Sequence, residues 1–387
     1  MCVAVRLTWC AAALACLASR VGGVGFVYPD FNTTTGLSLN GNASVSSCGE
    51  SGSTSSNPAY GYNQAHGVVS TYSERGLLQE GVEGFERSTM LTDPGTDGAA
   101  LDETRAGFGH RDSASAGGYA TAPRGECAGR LRLTGSAPQR SGSVWREARA
   151  QVLQGFTTTF SFQMTDLSRD CRVVRDSRFS TNRYESCSVH GGDGFAFVLH
   201  DDPAAERALG AGGSQLGFGG LMSGLAVEFD VWYNPELGDL FQDHVTAFAS
   251  VGALSAGASQ ALHTPVPLRL ADGAVHSARV TYLPFFENNL AHKMQASSSA
   301  LQFARDNGEG YRLGTLVIYV DDMATPVVAV PINLSTLITV PGGYAVAGFT
   351  AATGRSWASH DILSWRLCET PSADECEDQA PNTTYTP

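Results

Sequence analysis

The chain has 387 residues, of which 42% are hydrophobic and only 16% are charged, so it can bury a large core and is not disordered throughout. Its 38 acidic and 25 basic residues give a net charge of -13, which would repel a phosphate backbone and argues against nucleic acid as a partner. The 44 glycines and 16 prolines follow no three-residue period, and Thr, Val, Phe and Tyr occur in short runs. This composition favours an all-β architecture of short strands joined by turns.

The first feature along the chain is an apolar stretch from Leu7 to Ala18, which follows Arg6. Its length of about twelve residues is too short for the ~20 needed to cross a bilayer as a helix, which predicts a secretory signal peptide over residues 1–23. No second apolar stretch could act as a membrane anchor. We therefore expect a soluble protein that is secreted or lumenal to the secretory pathway.

Cysteines and glycosylation sequons support a secretory protein. Removal of residues 1–23 would leave six cysteines, an even number typical of a disulfide framework in an oxidising compartment. Neighbouring cysteines bound polar segments, which predicts the pairs Cys48–Cys127, Cys171–Cys187 and Cys368–Cys376, although the sequence alone allows about 15 pairings. The predicted glycosylation sites are the sequons at Asn32, Asn42, Asn333 and Asn382.

Strand patterns recur along the chain after residue 24. Residues 37–43 alternate between apolar and polar types, and Phe156, Phe160 and Phe162 would share one face of a later strand. Further strands are predicted at 130–134, 194–199, 226–231, 246–251, 278–282, 315–320, 344–350 and 361–367. Their regular spacing without convincing helices predicts a sandwich of large antiparallel sheets.

Polar segments interrupt these strands. Residues 44–129 are rich in Ser, Gly, Asp and Arg, and so long a loop without structure is unusual inside a compact domain, so this segment is predicted to be an insertion. Residues 166–190 form a second, disulfide-bounded polar insertion, and residues 287–311 interrupt a later connection. The predicted domain therefore covers residues 24–367, and a tail covers 368–387.

Residues 228–244 contain several side chains of types that can bind metal ions. The segment reads E-F-D-V-W-Y-N-P-E-L-G-D-L-F-Q-D-H. Alternate residues of a strand share one face, so Glu228 and Asp230 project together. Pro235 and Gly238 end the strand, and the loop then returns over the same face. The residues predicted to meet there are Glu228, Asp230, Trp232, Asn234, Asp239 and His244.

These residues supply two kinds of ligand set. Carboxylates, an amide and the Trp232 carbonyl are oxygen donors suited to Ca²⁺, whereas Glu228 and His244 add the mixed oxygen and nitrogen environment that Mn²⁺ or another transition ion prefers. The predicted arrangement is a binuclear site bridged by Asp230 and Asp239. Each residue alone is more commonly a solvated loop residue, so the prediction depends on the spacing of the whole set.

The segment resembles the metal-binding strand and loop of the legume-type (L-type) lectins, the concanavalin A-like family. The family pattern is Glu-X-Asp-X-aromatic-X-Asn, then Asp five residues later and His five after that, and residues 228–244 match every position. Further matching motifs occur in the family's order at 192–197, 212–218, 270–273 and 351–354 with 360–365. The resemblance covers most of residues 24–43 and 130–367. It implies a jelly-roll sandwich of antiparallel sheets with long loop insertions.

The resemblance also implies a carbohydrate site. Asp193 would accept hydrogen bonds from two adjacent sugar hydroxyls, held by a cis peptide to the preceding residue. Gly213, or Ser214 if the loop alignment shifts by one, would donate a backbone N–H. Asn234 would bind both calcium and the sugar, and Trp232 would stack against the ring. The implied carbohydrate-binding residues are Asp193, Gly213, Ser214, Trp232, Asn234, Arg355 and Ser356, the last two in a loop that helps to select the sugar.

We therefore expect a lectin, not an enzyme, that binds glycans or glycoproteins; the sugar and the oligomeric state stay open, and a homo-oligomer is one option. The main alternative is a concanavalin-like glycoside hydrolase, with Glu228 and Asp230 as nucleophile and helper, but Tyr233 stands where that series needs an acid. A sugar-independent adhesion module would predict loss of Asp193 or Asn234, and both are present. The related lectin receptors of vesicular traffic carry a membrane anchor and usually lack the histidine.

Overall fold

The computed structural model describes residues 24–46, 86–91, 129–175, 183–305, 313–338, 342–372 and 376. The predicted signal peptide, Cys48, Cys127 and Asn382 lie outside these residues. The strands are β1 (Val24–Tyr28), β2 (Leu37–Gly41), β3 (Ser44–Ser46), β4 (Glu86–Leu91), β5 (Arg130–Thr134), β6 (Ser141–Arg146), β7 (Ala150–Gln151), β8 (Phe156–Thr165), β9 (Ser168–Arg175), β10 (Arg183–His190), β11 (Gly194–His200), β12 (Met222–Asp230), β13 (His244–Ala253), β14 (Val266–Pro267), β15 (Val275–Leu283), β16 (Gly314–Val320), β17 (Val328–Ile332), β18 (Tyr344–Ala352) and β19 (Ser359–Cys368).

Helical structure in the described part of the chain is confined to short pieces. The α-helix α1 covers only Ser298–Leu301. Short 3₁₀ turns lie at Ala205–Arg207, Gly213–Gln215, Pro235–Leu237, Asn288–Lys293 and Leu334–Thr336. Among the described residues, no helix has the length and apolar character needed to span a bilayer.

Two antiparallel sheets of eight strands each form the sandwich, as the sequence predicted. The front sheet runs in the order β14-β13-β12-β11-β18-β6-β2, with β7 paired to β18. The back sheet runs in the order β17-β16-β15-β8-β19-β5-β3, with β1 paired to β19. Strands that neighbour each other in a sheet are mostly distant in sequence, so each face of the sandwich joins segments from the whole domain.

The core between the sheets is rich in aromatic side chains. Phe160 and Phe162 point inward from β8, as their alternate spacing predicted. Phe160 meets Phe349 of β18 edge to face at 5.0 Å between ring centroids, and Phe195 of β11 stacks on Phe229 of β12 at 4.7 Å. Each such buried side chain contributes roughly 1.5–3 kcal/mol, so this layer fixes the position of β11 and β12, which carry the candidate site.

All strands predicted from the sequence are present, but the predicted insertion at 166–190 is not an irregular loop. Strands β9 and β10 pair as an antiparallel hairpin, and β4 from the 44–129 segment pairs with β10 as a third strand. The polar sequence of this hairpin lacks the alternation that reveals a half-buried strand. Cys171 and Cys187 are direct cross-strand partners in its register. The disulfide between them stays a prediction, and the pairing of the two backbone positions is compatible with it.

The described cysteines and sequons give mixed outcomes. The predicted disulfide between Cys368 and Cys376 is present and ties the tail to the end of β19.

Of the predicted glycosylation sites, Asn32 and Asn42 are exposed. Asn333, in contrast, is 0% exposed, and its amide nitrogen donates to the Arg305 carbonyl at 2.6 Å. This placement leaves no room for a glycan, so Asn333 is removed from the predicted glycosylation sites.

Candidate functional site

The candidate site lies along one edge of the front sheet, where four neighbouring strands end together. Gly194 at the start of β11 is paired with Asp230 at the end of β12 and with Ala352 at the end of β18. Ala352 is in turn paired with Ser141 at the start of β6. Three segments therefore lie side by side where they meet the sheet. They are the segment before β11 with Asp193, the loop after Asp230 and the turn after Ala352.

The buried centre of the site consists of carboxylates and one imidazole. Glu228, Asp230 and His244 each offer one ligand atom, and these atoms lie within 4.8 Å of one another. They meet because Asp230 and His244 are register partners on β12 and β13 and Glu228 lies two residues earlier on the same face. The Nε2 atom of His244 is 3.7 Å from Glu228 Oε1 and 3.9 Å from Asp239 Oδ1.

The loop from β12 to β13 brings Asp239 back to this centre, as the sequence predicted. A 3₁₀ turn over Pro235–Leu237 ends at Gly238, whose φ of 90° favours glycine. The backbone N–H of Asn234 donates to Asp239 Oδ2 at 2.8 Å, and the N–H of Trp232 donates to Asp230 Oδ1 at 2.6 Å. The loop is thus folded around the two aspartates that were expected to bridge the ions.

Several polar atoms of this centre have no hydrogen-bond partner among the described residues. They are both carboxylate oxygens of Glu228, Nε2 of His244 and Oδ1 of Asn234. His244 Nδ1 lies 3.0 Å from the Gln242 carbonyl, and donation from Nδ1 would leave the lone pair of Nε2 directed at the carboxylates. Burying such groups without partners is costly, so their common orientation fits a bound divalent cation.

The electrostatics of the centre also fit a bound divalent cation. Burial raises the pKa of Glu228 well above its usual value, and the charge of Asp239 raises it further. Burial likewise raises the pKa of Asp230 well above normal and that of Asp239 to about 6. Carboxylates that crowd together without a counter-charge resist ionisation, and a divalent cation would supply that charge.

Asp193 lies beside this centre, immediately before β11. Its carbonyl accepts the N–H of Val231 at 2.9 Å, which links it to the first residue of the loop between β12 and β13. The peptide between Gly192 and Asp193 is cis, as the resemblance implied. Asp193 is 4% exposed, and burial raises its pKa to about 7.

Two glycine-containing loops frame the Asp193 carboxylate. A side chain at Gly354 would come within 2.9 Å of Asp193 Oδ1, and one at Gly213 would lie 3.5 Å from Oδ2. A side chain at Gly354 would therefore crowd the carboxylate, and glycine avoids this contact. Ser214 follows Gly213 in the same 3₁₀ turn.

The remaining predicted residues lie on the segments next to Asp193. Trp232 is half-buried, and its ring meets His190 edge to face at 5.7 Å. Arg355 is exposed at the apex of a turn closed by the Gly354 N–H and the Ser356 carbonyl at 3.1 Å. Ser356 packs on Gly192, where an added Cβ would lie 2.8 Å from the Ser356 carbonyl oxygen. All seven predicted carbohydrate-binding residues thus belong to segments that meet at this edge.

Sequence reasoning missed supporting residues. Asp243 is buried, and its Oδ2 accepts the N–H groups of Leu270 and Ala271 at 3.2 and 3.1 Å, so it fixes the loop before β15. Its position next to the predicted ligand His244 was the only signal in the sequence. Gly354 belonged to a recognised motif, but its contact with Asp193 depends on strand pairing that spacing does not reveal.

Comparisons with known proteins agree with this fold. The family model for the legume lectin domain matches residues 128–383, the greater part of the chain. No curated protein sequence matches the chain. Similar solved structures include a lectin from Bauhinia forficata in complex with GalNAc, with 15% identity and a TM-score of 0.42 over 89% of this chain and 96% of that one. The exoplasmic/lumenal domain of VIP36 in a Ca²⁺/Man3GlcNAc-bound form has 17% identity and a TM-score of 0.40 over 66% and 85% of the two chains. Basic winged bean lectin with Tn-antigen has 20% identity and a TM-score of 0.37 over 62% and 86%.

Proposed function

The chain belongs to the legume lectin domain family, and on this premise we propose that it is a secreted lectin that binds glycans through a site organised by calcium and a transition metal ion such as manganese. The observation that carries the proposal is the hydrogen bond between Val231 N–H and the Asp193 carbonyl, at 2.9 Å. It connects the segment with the unpartnered ligand atoms to the carboxylate that would bind sugar.

The residues divide between the two ions by their chemistry. Glu228 and His244 would hold the transition ion, Asn234 and the Trp232 carbonyl would hold calcium, and the two aspartates would contact both. When bound, the ions supply the positive charge that lets these buried carboxylates ionise together. The aspartates concerned are Asp230 and Asp239.

The sugar would be bound by groups on the segments that meet beside the loop between β12 and β13. The Asp193 carboxylate accepts two hydroxyls, and the Gly213 N–H donates to a third. The Asn234 amide NH₂ has only a 3.4 Å contact with Glu236 Oε1, so it is available as a further donor. Trp232 offers an aromatic face to the apolar side of the ring.

A glycosidase is less well supported by the same geometry. Glu228, the required nucleophile, is 1% exposed and lies inside the carboxylate and imidazole cluster, where a sugar cannot reach it. Tyr233, at the position of the acid, packs on Phe241 at 4.2 Å between ring centroids. The chain is therefore proposed to bind glycans without hydrolysing them.

Secretion is proposed on independent grounds. The structure contains a disulfide between Cys368 and Cys376, and disulfides persist mainly in proteins of oxidising compartments. The predicted signal peptide over residues 1–23 and the exposed sequons at Asn32 and Asn42 fit the same route. Detection of the chain in culture medium with residues 1–23 removed would test this part of the proposal.

The experiment for the proposed function is glycan-array binding of the mature chain before chelation, after chelation and after both ions are returned. We expect binding to disappear with EDTA and to return with Ca²⁺ and Mn²⁺ together. Elemental analysis must confirm that the chelated sample is free of metal. Full glycan binding by that sample would show that the metal-organised mechanism is wrong.

A further inference from the structure

Two exposed arginines, Arg140 and Arg355, lie on segments next to the one that contains Asp193. Within the part of the chain that the structure describes, neither guanidinium has an ion pair or a hydrogen bond. Some other arginines are paired, for example Arg132 with Asp361 at 2.8 Å and Arg149 with Asp201 at 2.7 Å. On a chain with a net charge of -13, two unpaired cations on neighbouring segments give a local positive charge.

The backbone places both arginines next to the sugar site. Arg140 and Thr353 exchange hydrogen bonds, from Thr353 N–H to the Arg140 carbonyl at 2.9 Å and from Arg140 N–H to Thr353 Oγ1 at 2.8 Å. Asp193 lies on the other side of the end of β18, because its N–H donates to the Ala352 carbonyl at 2.9 Å. Two strand spacings separate Arg140 from Asp193, roughly 10 Å between Cα atoms.

Arg355 approaches from the adjoining turn. It follows Gly354, where an added Cβ would lie 2.9 Å from Asp193 Oδ1. Arg140 also borders the second framing loop, because the next residue, Ser141, packs on Gly212. A sugar held by Asp193 would therefore have a guanidinium within reach from each of these two loops.

The acidic groups of the site do not cancel this positive charge. Glu236 lies on the loop after β12, on the opposite side of Asp193 from Arg140. Glu228, Asp230 and Asp239 would be matched by the proposed ions. The side of Asp193 on which the segments of Arg140 and Arg355 lie is thus the cationic side.

We propose that the site selects glycans that carry an anionic group, a sulfate or a carboxylate, next to the sugar bound by Asp193. Guanidinium groups bind both anions through paired, charge-assisted hydrogen bonds, so the shared chemistry is recognition of a planar or tetrahedral oxyanion. The inference rests on the proposed glycan-binding function and adds the class of glycan to it.

The test compares matched neutral and anionic sugars on the metal-loaded chain. The probes are galactose, galactose 6-sulfate and galacturonic acid, with the corresponding sets built on mannose, glucose and N-acetylgalactosamine, each immobilised at equal density. For the sugar that binds, we expect its charged forms to bind about tenfold tighter than the neutral form, as for one charge-assisted pair. The sulfate and carboxylate arms show which anion is preferred.

The double variant Arg140→Gln and Arg355→Gln should reduce the ratio of charged to neutral affinity to about one. The double variant Arg140→Lys and Arg355→Lys keeps the charges and should retain a preference. The matched control is Arg207→Gln, because Arg207 is exposed on the 3₁₀ turn that follows the far end of β11, and it should leave the ratio unchanged.

The outcomes separate the two proposals. Equal binding of neutral and charged sugars by the wild-type chain, or a preference that survives the glutamine variant, would overturn the anionic selection and leave the lectin function standing. Failure of every probe to bind to the metal-loaded chain would instead count against the proposed function itself.

Discussion

Asp193 is the single residue on which sugar binding is expected to depend most. Replacing it with alanine removes the charged acceptor of two hydroxyls, each worth about 1.5–3 kcal/mol, so glycan affinity should fall by roughly 100-fold or more. Calcium and manganese content, measured by elemental analysis, should stay near the wild-type level, because Asp193 is not one of the predicted ligands. Asp193→Asn is the matched control for shape. Normal glycan affinity in both variants would place the sugar site elsewhere.

His276 is a residue whose contribution to stability depends on pH. Its Nδ1 lies 2.8 Å from Asp321 Oδ2 and its Nε2 lies 2.8 Å from Asp272 Oδ1, an arrangement in which both nitrogens donate only when the ring is protonated. Burial alone would lower the pKa of His276, but the two carboxylates outweigh burial and raise it above 6.5. Stability from this contact is therefore fully present below the unfolded pKa and is lost as pH rises through the folded pKa.

The His276→Gln variant tests this dependence. It should reduce the free energy of unfolding by about 1 kcal/mol at mildly acidic pH, a modest value because Asp321 is half exposed. The loss should shrink as the pH rises through the raised pKa of His276, because the wild-type ring then becomes neutral. Urea unfolding of both proteins across this range measures the difference. A loss that is constant with pH would show that the ring is not charged in the folded protein.

The loop between β12 and β13 is the element that would join the proposed metal binding to the proposed sugar binding. Asp239→Ala should remove both ions together, because this carboxylate faces His244 Nε2 at 3.9 Å and also accepts the Asn234 N–H at 2.8 Å. His244→Ala should chiefly weaken the transition ion, since imidazole is not a typical calcium ligand. The measurement is the metal content of each variant, with glycan binding measured in parallel. It shows which ion each residue holds and whether glycan binding depends on that ion. Loss of manganese alone from Asp239→Ala would contradict the bridging role.

The hairpin of β9 and β10 shows where local sequence patterns fail to identify elements. The strands β8 and β11 were predicted because their inward positions are apolar, as at Phe162 and Phe195. The hairpin has no such alternation in its sequence, so it was predicted as an insertion. Only the two cysteines that bound it indicated that its ends lie close together, and in the structure Cys171 and Cys187 are direct partners.

This register sharpens the disulfide prediction. Peptide mapping under non-reducing conditions should link Cys171 to Cys187, with Cys48 then left to pair with Cys127. The disulfide between Cys368 and Cys376 serves as the internal control, since the structure contains it. A peptide joining Cys127 to Cys171 would show that the pairing is wrong.

Across the whole molecule, the sequence predicted the layers better than their connections. Alternation at positions such as Phe160 indicated which strands face the core, and the spacing from Glu228 to His244 indicated the candidate metal ligands, because both are local properties. Neighbours across a sheet are not local. The contacts of Asp193 with Gly354, and of Thr353 with Arg140, arise only when β11, β18 and β6 lie side by side.

The response of the whole molecule to acid should follow from the metal site. Metal binding requires ionised carboxylates, and in the metal-free protein burial raises the pKa of Asp239 to about 6 and those of Glu228 and Asp230 well above normal. Raised carboxyl pKa values stabilise the metal-free fold at low pH, and this stability is lost as the pH rises through the folded pKa. Bound ions reverse the effect, because they favour the ionised form.

We therefore predict that the rise in melting temperature produced by fixed Ca²⁺ and Mn²⁺ is largest near neutral pH and shrinks as the pH falls through about 6. Comparing loaded with metal-free protein at each pH is essential, because His200 and His360 are buried with pKa values lowered by burial to about 4 and about 3, and acid destabilises both samples through them. Calorimetry across this range gives the melting temperatures, and glycan binding should decline in parallel. A metal-induced rise that is the same at pH 5 as at neutral pH would mean that the ions do not bind at these carboxylates.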